Sequence, residues 1–223
     1  MIDPQIDHLA PTTWPSTAAT LIMASVAQTC QVVGSCSVIL TGGRSAACLY
    51  DAWARLPEFG QLRNIHFCFG DERCVPPDHP ESNYGLAVRT LFKYGVPSAC
   101  KVTRMVAEQG DKEAAASAYE AQLPDKCDVL LLSMGEDGHI ASLFPHSEVL
   151  LETCRRVVSV RSPKPPIHRL TITPPTIQDA REVFILALGK KKRAVYEEAL
   201  KNPVDIDAIP ARLVLNGTWI FGD

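Results

Sequence analysis

The sequence predicts an α/β fold: a doubly wound, mostly parallel sheet with helices on both faces, as in Rossmann-like proteins. Short apolar runs rich in β-branched and aromatic residues alternate with longer amphipathic segments, which is typical of parallel strands joined by helical crossovers. The chain has 223 residues, 46% of them hydrophobic, and shows no internal repeat or low-complexity linker. We therefore expect one domain over residues 1–223 with a sizeable buried core.

The predicted strands are short apolar runs that end at glycine or at a group of polar residues. One example is the run Ile65-His66-Phe67-Cys68-Phe69, which is followed at once by Gly70 and a charged segment. Strands are expected over residues 37–40, 65–69, 129–132, 157–160 and 183–188.

The predicted helices are amphipathic segments flanked by Gly, Pro, Ser or Asp, which are common at helix ends. They are expected over residues 16–31, 46–55, 84–92, 112–123 and 191–200. Prolines at residues 163–166 and 174–175 predict stiff, exposed loops, and neither segment is expected to be a domain boundary.

Composition and charge argue against several classes of protein. The net charge of −3 gives no footprint for nucleic acid, and the basic run at residues 190–193 is too short to change that. No apolar run is expected to reach the roughly 18 residues of a membrane span. Residues 1–8 lack the basic region and apolar block of a secretory signal. We expect a cytoplasmic protein without nucleic-acid or membrane partners.

The eight cysteines are scattered, with no C-x-x-C pair, so free thiols are expected. Cys68 lies inside a strand-like run, where cysteine packs as a small hydrophobe. Neither the cysteines nor the six histidines have the spacing of a structural zinc site or of H-E-x-x-H. No metal site is therefore predicted.

The loop after residues 129–132 contains the first candidates for catalysis, Asp137 and His139. A titratable pair just after a strand lies where open α/β sheets bind their ligands, and Gly135 and Gly138 allow the backbone to turn sharply around it. Histidine can take a proton from water and return it near neutral pH. The alternative is that His139 caps a following helix and Asp137 only forms an Asx-turn.

Three further segments are predicted to lie at the same edge of the sheet. The first is Thr41-Gly42-Gly43-Arg44-Ser45, where backbone N–H groups before a helix suit a phosphate. It is neither a Walker A loop nor a G-x-G-x-x-G fingerprint, so neither a nucleoside triphosphate nor NAD is implied, and a plain tight turn explains it equally well.

The second segment contains Asp71 and Arg73, directly after residues 65–69, where charges can face a polar substrate. Within it, Ser82 is expected to cap the next helix. The third consists of two separate stretches, which contain Arg169 and Lys192, two cations that can bind one phosphate together. Taken singly, each of these two is more often a solvated surface residue.

Together these segments resemble the 6-phosphogluconolactonase family from about Val38 to Ile220. Its G-x-D-G-H-x-A-S-L-F-P motif is matched in full from Gly135 to Pro145. Its S-G-G-S-T-P, D-E-R-x-V-P-x-D-x-x-S-N-Y, R-[IL]-T and G-x-x-K motifs are similar to the segments that begin at Thr41, Asp71, Arg169 and Gly189.

The resemblance implies a glucosamine-6-phosphate deaminase/isomerase-like fold and hydrolysis of 6-phospho-D-glucono-1,5-lactone to 6-phospho-D-gluconate, the second step of the oxidative pentose phosphate pathway. It implies no metal or organic cofactor. His139 would activate water with the help of Asp137, although two residues of separation do not guarantee that they touch. The implied substrate-binding residues are Gly42, Gly43, Arg44, Asp71, Arg73, Arg169 and Lys192.

The sequence departs from the family pattern at two places. Arg44 replaces a small hydroxyl residue, so it can supply a charge where the family uses a hydroxyl, and Ala46 replaces a proline. Residues 190–193 are all basic, which leaves the phosphate-binding lysine ambiguous, and spacing favours Lys192.

Two other functions share parts of this sequence pattern. Glucosamine-6-phosphate deaminases have a similar D-G-H loop with a glutamate five residues after the histidine, where this chain has Phe144. A non-catalytic sugar-phosphate sensor would keep the fold and the phosphate site, but Asp137 and His139 are both present. We expect a monomer or a weak homo-oligomer.

Overall fold

The computed structural model describes residues 6–222 and contains ten strands and six α-helices in that range. The strands are β1 (Ile6–Leu9), β2 (Cys36–Leu40), β3 (Arg63–Phe69), β4 (Asp71–Arg73), β5 (Ala99–Val102), β6 (Val129–Ser133), β7 (Val157–Arg161), β8 (His168–Ile172), β9 (Glu182–Leu188) and β10 (Thr218–Gly222). The α-helices are α1 (Trp14–Val33), α2 (Gly43–Trp53), α3 (Asn83–Arg89), α4 (Lys112–Glu120), α5 (Pro174–Gln178) and α6 (Lys190–Lys201).

Seven strands form one parallel sheet in the order β1-β10-β9-β6-β2-β3-β5. From β2 the chain continues outward to β3 and β5, whereas from β6 it continues to the other side through β9 and β10. The order therefore reverses between β2 and β6, and open α/β sheets bind ligands at such a switch point. The predicted fold class is confirmed.

The strands of the parallel sheet send alternate side chains to two separate cores. In β6, Leu130 and Leu132 belong to one core cluster, and Val129 and Leu131 belong to the other. The first cluster also contains residues of α4, α5 and α6, and the second contains residues of α1, α2 and α3. Successive side chains of a strand point to opposite faces of the sheet, and both sets are buried here, so helices cover both faces.

A second sheet, antiparallel, has the order β4-β8-β7. The strand predicted over residues 157–160 is present as β7, but the expectation that it belongs to the parallel sheet is wrong. Only residues 162–167 connect β7 to β8, and this is too short for the crossover that parallel pairing needs. Val157, Leu170 and Ile172 join the first core cluster, so this sheet packs on the α4 side.

Several details of the helices differ from the sequence predictions. The exposed loop expected at Pro174 and Pro175 is wrong, because the two prolines form the first turn of α5, where proline needs no N–H partner, and Pro174 is buried. Helix α2 begins at Gly43 and not at residue 46, so Arg44 and Ser45 lie in its first turn. Helix α1 is long and apolar enough, by length and composition alone, to cross a membrane, so the expectation that no apolar run reaches that length was wrong. Trp14, Ile22 and Val26 of α1 are fully buried in the second core cluster, as in a core helix. The predicted absence of a signal sequence depends partly on residues 1–5, which lie outside the described residues.

Candidate active site

A cavity of about 720 Å³ opens at the carboxyl ends of the four adjacent strands β9, β6, β2 and β3. The loops or helices that follow these strands form most of its wall. It brings together every residue that the sequence analysis placed in the site, namely Gly42, Gly43, Arg44, Asp71, Arg73, Asp137, His139, Arg169 and Lys192.

His139 and Asp137 form a direct hydrogen bond inside this cavity. Nδ1 of His139 lies 2.5 Å from Oδ1 of Asp137, and the side chains are 27% and 32% exposed. The hydrogen bond from His139 holds the pKa of the Asp137 carboxyl well below its usual range. Because a carboxylate only accepts, Nδ1 carries the proton in the neutral imidazole and Nε2 keeps a lone pair.

The alternative structural role is only partly present. No helix begins directly after His139, since residues 139–147 are non-helical, so the histidine caps no helix. Residues 134 and 140 instead form an isolated β-bridge. Oδ1 of Asp137 does lie 3.4 Å from the backbone N of His139, as in a long Asx-turn contact. The same carboxylate therefore contacts both the backbone and the ring of His139.

Two glycines shape the loop around this pair. An added Cβ at Gly135 would lie 2.1 Å from Nδ1 of His139 and 2.5 Å from Oδ1 of Asp137, so only glycine leaves room for the pair. Gly138 has a φ of +81°, in the left-handed region that favours glycine. The backbone N–H of Gly135 also donates to the carbonyl of His139 at 2.8 Å, which closes the loop.

Phe144 packs between His139 and Arg169. Its ring centroid lies 5.0 Å from the centroid of the His139 imidazole and 5.5 Å from Cζ of Arg169. Phe144 is 5% exposed, and its apolar ring packs against both side chains. A phenylalanine has no titratable group, so it supplies packing and no acid or base. This is the position at which the deaminase pattern has a glutamate.

The acidic segment after β3 has mainly an organising role. Glu72, buried at 3% exposure, accepts hydrogen bonds from Ser82 Oγ and from backbone N–H groups that include those of Asn83 and Tyr84. Ser82 accepts from the N–H of Gly85 at 2.9 Å and so caps α3, as predicted. Burial nevertheless raises the pKa of the Glu72 carboxyl. These bonds fix the first turn of α3 against the end of β3.

Asp71 holds three parts of the site together. Its Oδ1 accepts from Nδ2 of Asn83 at 2.8 Å, and its Oδ2 accepts from Oγ of Ser142 at 2.7 Å. Both carboxylate oxygens are thus bound by protein donors, although Asp71 also lines the cavity. The amide of Asn83 in turn packs on Gly42, where an added Cβ would lie 1.9 Å from Oδ1 of Asn83.

Sequence reasoning missed Asn83 and Ser142 as parts of the site. Both lie inside the quoted motifs, in S-N-Y and A-S-L-F-P, so a signal was present. Spacing alone does not reveal that two residues distant in sequence share the carboxylate of Asp71.

The first turns of α2 and α6 form one wall of the cavity. The leading N–H groups of a helix have no partner within the helix, and no side chain of the described residues caps either of these two. Gly43, at the start of α2, has a φ of +91° and Gly189, before α6, one of +106°. Two uncapped helix N-termini and the charges of Arg44 and Lys192 make this wall suitable for an anion.

The four basic residues at the start of α6 have different partners in the structure. Nζ of Lys192 donates to Oγ of Ser45 at 3.1 Å and lies in the cavity wall. Lys191 is exposed and paired with Glu136 at 3.0 Å, and Arg193 stacks on Phe221. Burial, together with the nearby charge of Arg44, lowers the pKa of Lys192 to about 8. Lys190 also lines the cavity.

Arg73 and Arg169 stand directly opposite each other on β4 and β8. Arg169 is 7% exposed, and its Nε donates to the carbonyl of Pro166 at 3.2 Å. Nη1 of Arg73 donates to the carbonyl of Glu81 at 2.5 Å, while its buried Nε has no partner among the described residues. Like charges on facing strands repel, so this pair also suits an anionic ligand.

Within residues 6–222, no cluster of three or more His, Cys, Asp or Glu residues could hold a metal ion. The fold and the cavity define a class: an α/β enzyme with a histidine–aspartate pair beside a wall suited to an anion, at the switch point of a parallel sheet.

Residues 11–221 match the family described as glucosamine-6-phosphate isomerases/6-phosphogluconolactonase. The chain is 37% identical over 204 residues to the 6-phosphogluconolactonase of Mycobacterium tuberculosis, covering 84% of this chain and 83% of that protein. A solved 6-phosphogluconolactonase from Trypanosoma brucei has a TM-score of 0.85 at 27% identity, covering 100% of this chain and 97% of the other. One from Shewanella baltica has a TM-score of 0.89 and covers both chains fully, and at 24% identity it shows the fold alone.

The chain belongs to the glucosamine-6-phosphate isomerase/6-phosphogluconolactonase family. The resemblance inferred from the motifs is thereby confirmed.

Proposed function

We propose that the protein hydrolyses 6-phospho-D-glucono-1,5-lactone to 6-phospho-D-gluconate, the second step of the oxidative pentose phosphate pathway. The observation that supports this best is the 2.5 Å contact between His139 and Asp137 inside a cavity with one wall suited to an anion. The relatives at 37% and 38% identity from Mycobacterium tuberculosis and Streptomyces coelicolor are named 6-phosphogluconolactonases.

In the proposed mechanism, His139 is the general base. Its Nε2 takes a proton from water, the hydroxide adds to the lactone carbonyl carbon C1, and the imidazolium then protonates the departing ring oxygen. Asp137 accepts from Nδ1, which keeps the lone pair on Nε2, and its charge stabilises the imidazolium. Because a lactone is an activated ester, a positioned base suffices and no metal or cofactor is proposed.

The substrate phosphate is proposed to bind the wall formed by the first turns of α2 and α6. The N–H groups at Gly42 and Gly43 and the cations Arg44 and Lys192 would hold it, with Arg169 closing from β8. Arg73 adds positive charge to the same cavity, and Asp71 acts by holding Asn83 and Ser142 in place. Binding energy from the phosphate would orient C1 towards His139.

The chain would act as one domain over residues 1–223, as a monomer or weak homo-oligomer, in the cytoplasm. Its partner would be the small-molecule substrate, without nucleic acid or membrane.

Deamination of glucosamine 6-phosphate is the second candidate, because the family includes those isomerases. Phe144 argues against it, since a phenylalanine cannot supply the carboxylate that the deaminase pattern places there.

The experiment that tests the proposed function generates the lactone in situ from glucose 6-phosphate with its dehydrogenase and follows lactone decay with and without the protein. Faster decay, together with no ammonia from glucosamine 6-phosphate, is the expected result. Ammonia release without faster decay would replace the proposal by the deaminase.

A further inference from the structure

Lys192 differs from its neighbours in the cavity by its polar partners. Its Nζ donates to Oγ of Ser45 at 3.1 Å and to the carbonyl of Leu186 at 3.4 Å, and both acceptors are uncharged. Lys191 instead pairs with Glu136 at 3.0 Å, and Lys164 lies 3.8 Å from Asp137. Among the described residues, no carboxylate lies within ion-pair distance of Lys192.

The surroundings of Lys192 also disfavour its charged form. Burial has the largest effect and lowers the pKa of Lys192, and the positive charge of Arg44 on α2 lowers it further. The negative charge of Glu136 raises the pKa only in part, so that the pKa of Lys192 is about 8. Near neutral pH, a larger share of the Lys192 amine is therefore neutral than in an ordinary lysine. Lysines become nucleophiles in this way, by desolvation beside another cation.

We propose that Lys192 is a nucleophilic amine that captures small phosphorylated aldehydes as a reversible imine. The helix N-termini of α2 and α6 and Arg44 would hold the phosphate, which brings the aldehyde carbon to Nζ. The inference rests on the phosphate-binding wall of the proposed function and not on lactone hydrolysis.

The step balances without an oxidant or reductant. The lone pair of neutral Nζ attacks the aldehyde carbon, the carbonyl π pair moves to oxygen, and proton transfer from nitrogen to oxygen gives a carbinolamine. Loss of water then forms the C=N bond, so amine and aldehyde become imine and water. The reverse reaction with water restores Lys192.

The imine would occupy the wall at which the substrate phosphate is proposed to bind. A phosphorylated aldehyde would therefore compete with other phosphorylated ligands of the cavity. An aldehyde without a phosphate would lack the anchor and would gain little from the cavity.

The test uses pyridoxal 5′-phosphate as the probe, followed by borohydride reduction and peptide mapping of the whole protein. We expect the reduced adduct at Lys192, at least about tenfold more than at Lys191, because Nζ of Lys192 lies in the cavity wall with uncharged partners whereas Lys191 is exposed and paired with Glu136. Inorganic phosphate should protect Lys192, and pyridoxal without the phosphate should label it at least about tenfold less. Lys192→Arg should lose this label and Lys191→Arg should keep it.

Labelling spread evenly over the cavity lysines, or equal labelling by pyridoxal, would overturn the proposal. Circular dichroism of Lys192→Arg distinguishes loss of the amine from loss of the fold. Lactone hydrolysis is assayed on the same wild-type preparation before labelling. Specific labelling of a preparation that does not hydrolyse lactone would contradict only the proposed function, and hydrolysis without specific labelling would contradict only this inference.

Discussion

Oδ1 of Asp137 lies 2.5 Å from Nδ1 of His139, although only Gly138 separates the two residues in sequence. A left-handed φ of +81° at Gly138 turns the chain between them. The aspartate thus fixes the tautomer and the orientation of the ring from within one loop.

Asp137→Asn tests this contact with little change in size. An asparagine amide can donate to Nδ1 and leave the proton on Nε2, where it prevents base catalysis. We expect kcat for lactone hydrolysis to fall by roughly 100- to 10,000-fold with little change in product affinity.

The chain offers a matched control in a second His–Asp pair. Nδ1 of His146 lies 2.7 Å from Oδ2 of Asp207, but these side chains are 72% and 64% exposed and lie outside the cavity. Asp207→Asn should leave kcat unchanged. Equal losses in the two variants would show that the aspartate of the cavity has no special role.

Gly135→Ala should displace the pair without removing either member. Its Cβ would lie 2.1 Å from Nδ1 of His139, so the ring must move. We expect kcat/KM to fall about 100-fold, the cost of misplacing a catalytic group by about an ångström. Gly60→Ala is the control, because a Cβ there meets nothing within 4 Å. Wild-type activity of Gly135→Ala would contradict the geometry of the loop.

The pH dependence of phosphate binding should report Lys192. Because the pKa of Lys192 is lowered to about 8, the unliganded protein loses this proton near pH 8, and an anion prefers the protonated amine. The affinity for 6-phosphogluconate should therefore fall as pH rises above 8, by up to about tenfold per unit, when measured by calorimetry from pH 7 to 9.5.

The product is the appropriate ligand here, since the lactone hydrolyses spontaneously. Lys192→Arg keeps the charge through this range, so its affinity should be nearly flat with pH. The same slope in Lys192→Arg and in the wild type would assign the titration to another group.

Ser142→Ala should reduce stability through Asp71. Oγ of Ser142, fully buried, donates to Oδ2 of Asp71 at 2.7 Å, and its loss leaves a buried carboxylate oxygen unpaired. We expect the free energy of unfolding in urea to fall by about 1–3 kcal/mol. Ser16→Ala removes an exposed hydroxyl that donates to the carbonyl of Thr13 and should cost less than about 0.5 kcal/mol. A cost at Ser142 no larger than this would contradict the role of the Asp71 network.

Sequence reasoning predicted the parallel sheet because its strands are apolar runs with clear ends, and strand ends in such a sheet converge. His139 and Asp137 could be predicted as site residues for the same reason, since their loop directly follows β6. Arg44 was assigned to a loop because α2 was expected to begin at residue 46, whereas the backbone becomes helical at Gly43.

The contacts between distant segments could not be predicted in this way. The approach of Asn83 to Gly42 and the stacking of Phe144 between His139 and Arg169 depend on how loops fold over the sheet. Local pattern holds no information on such distances. The antiparallel sheet of β4, β8 and β7 was missed because β4, three residues long, is charged throughout and resembles a loop.

The role of His139 as the base of a lactone hydrolase is measured most directly by a comparison of wild type with His139→Ala. Lactone decay is followed above the spontaneous rate, and the affinity for 6-phosphogluconate is measured on the same samples. We predict that His139→Ala binds the product within about threefold of wild type, since the proposed phosphate site does not include His139, but does not accelerate decay. Undiminished acceleration by His139→Ala would show that His139 is not the base.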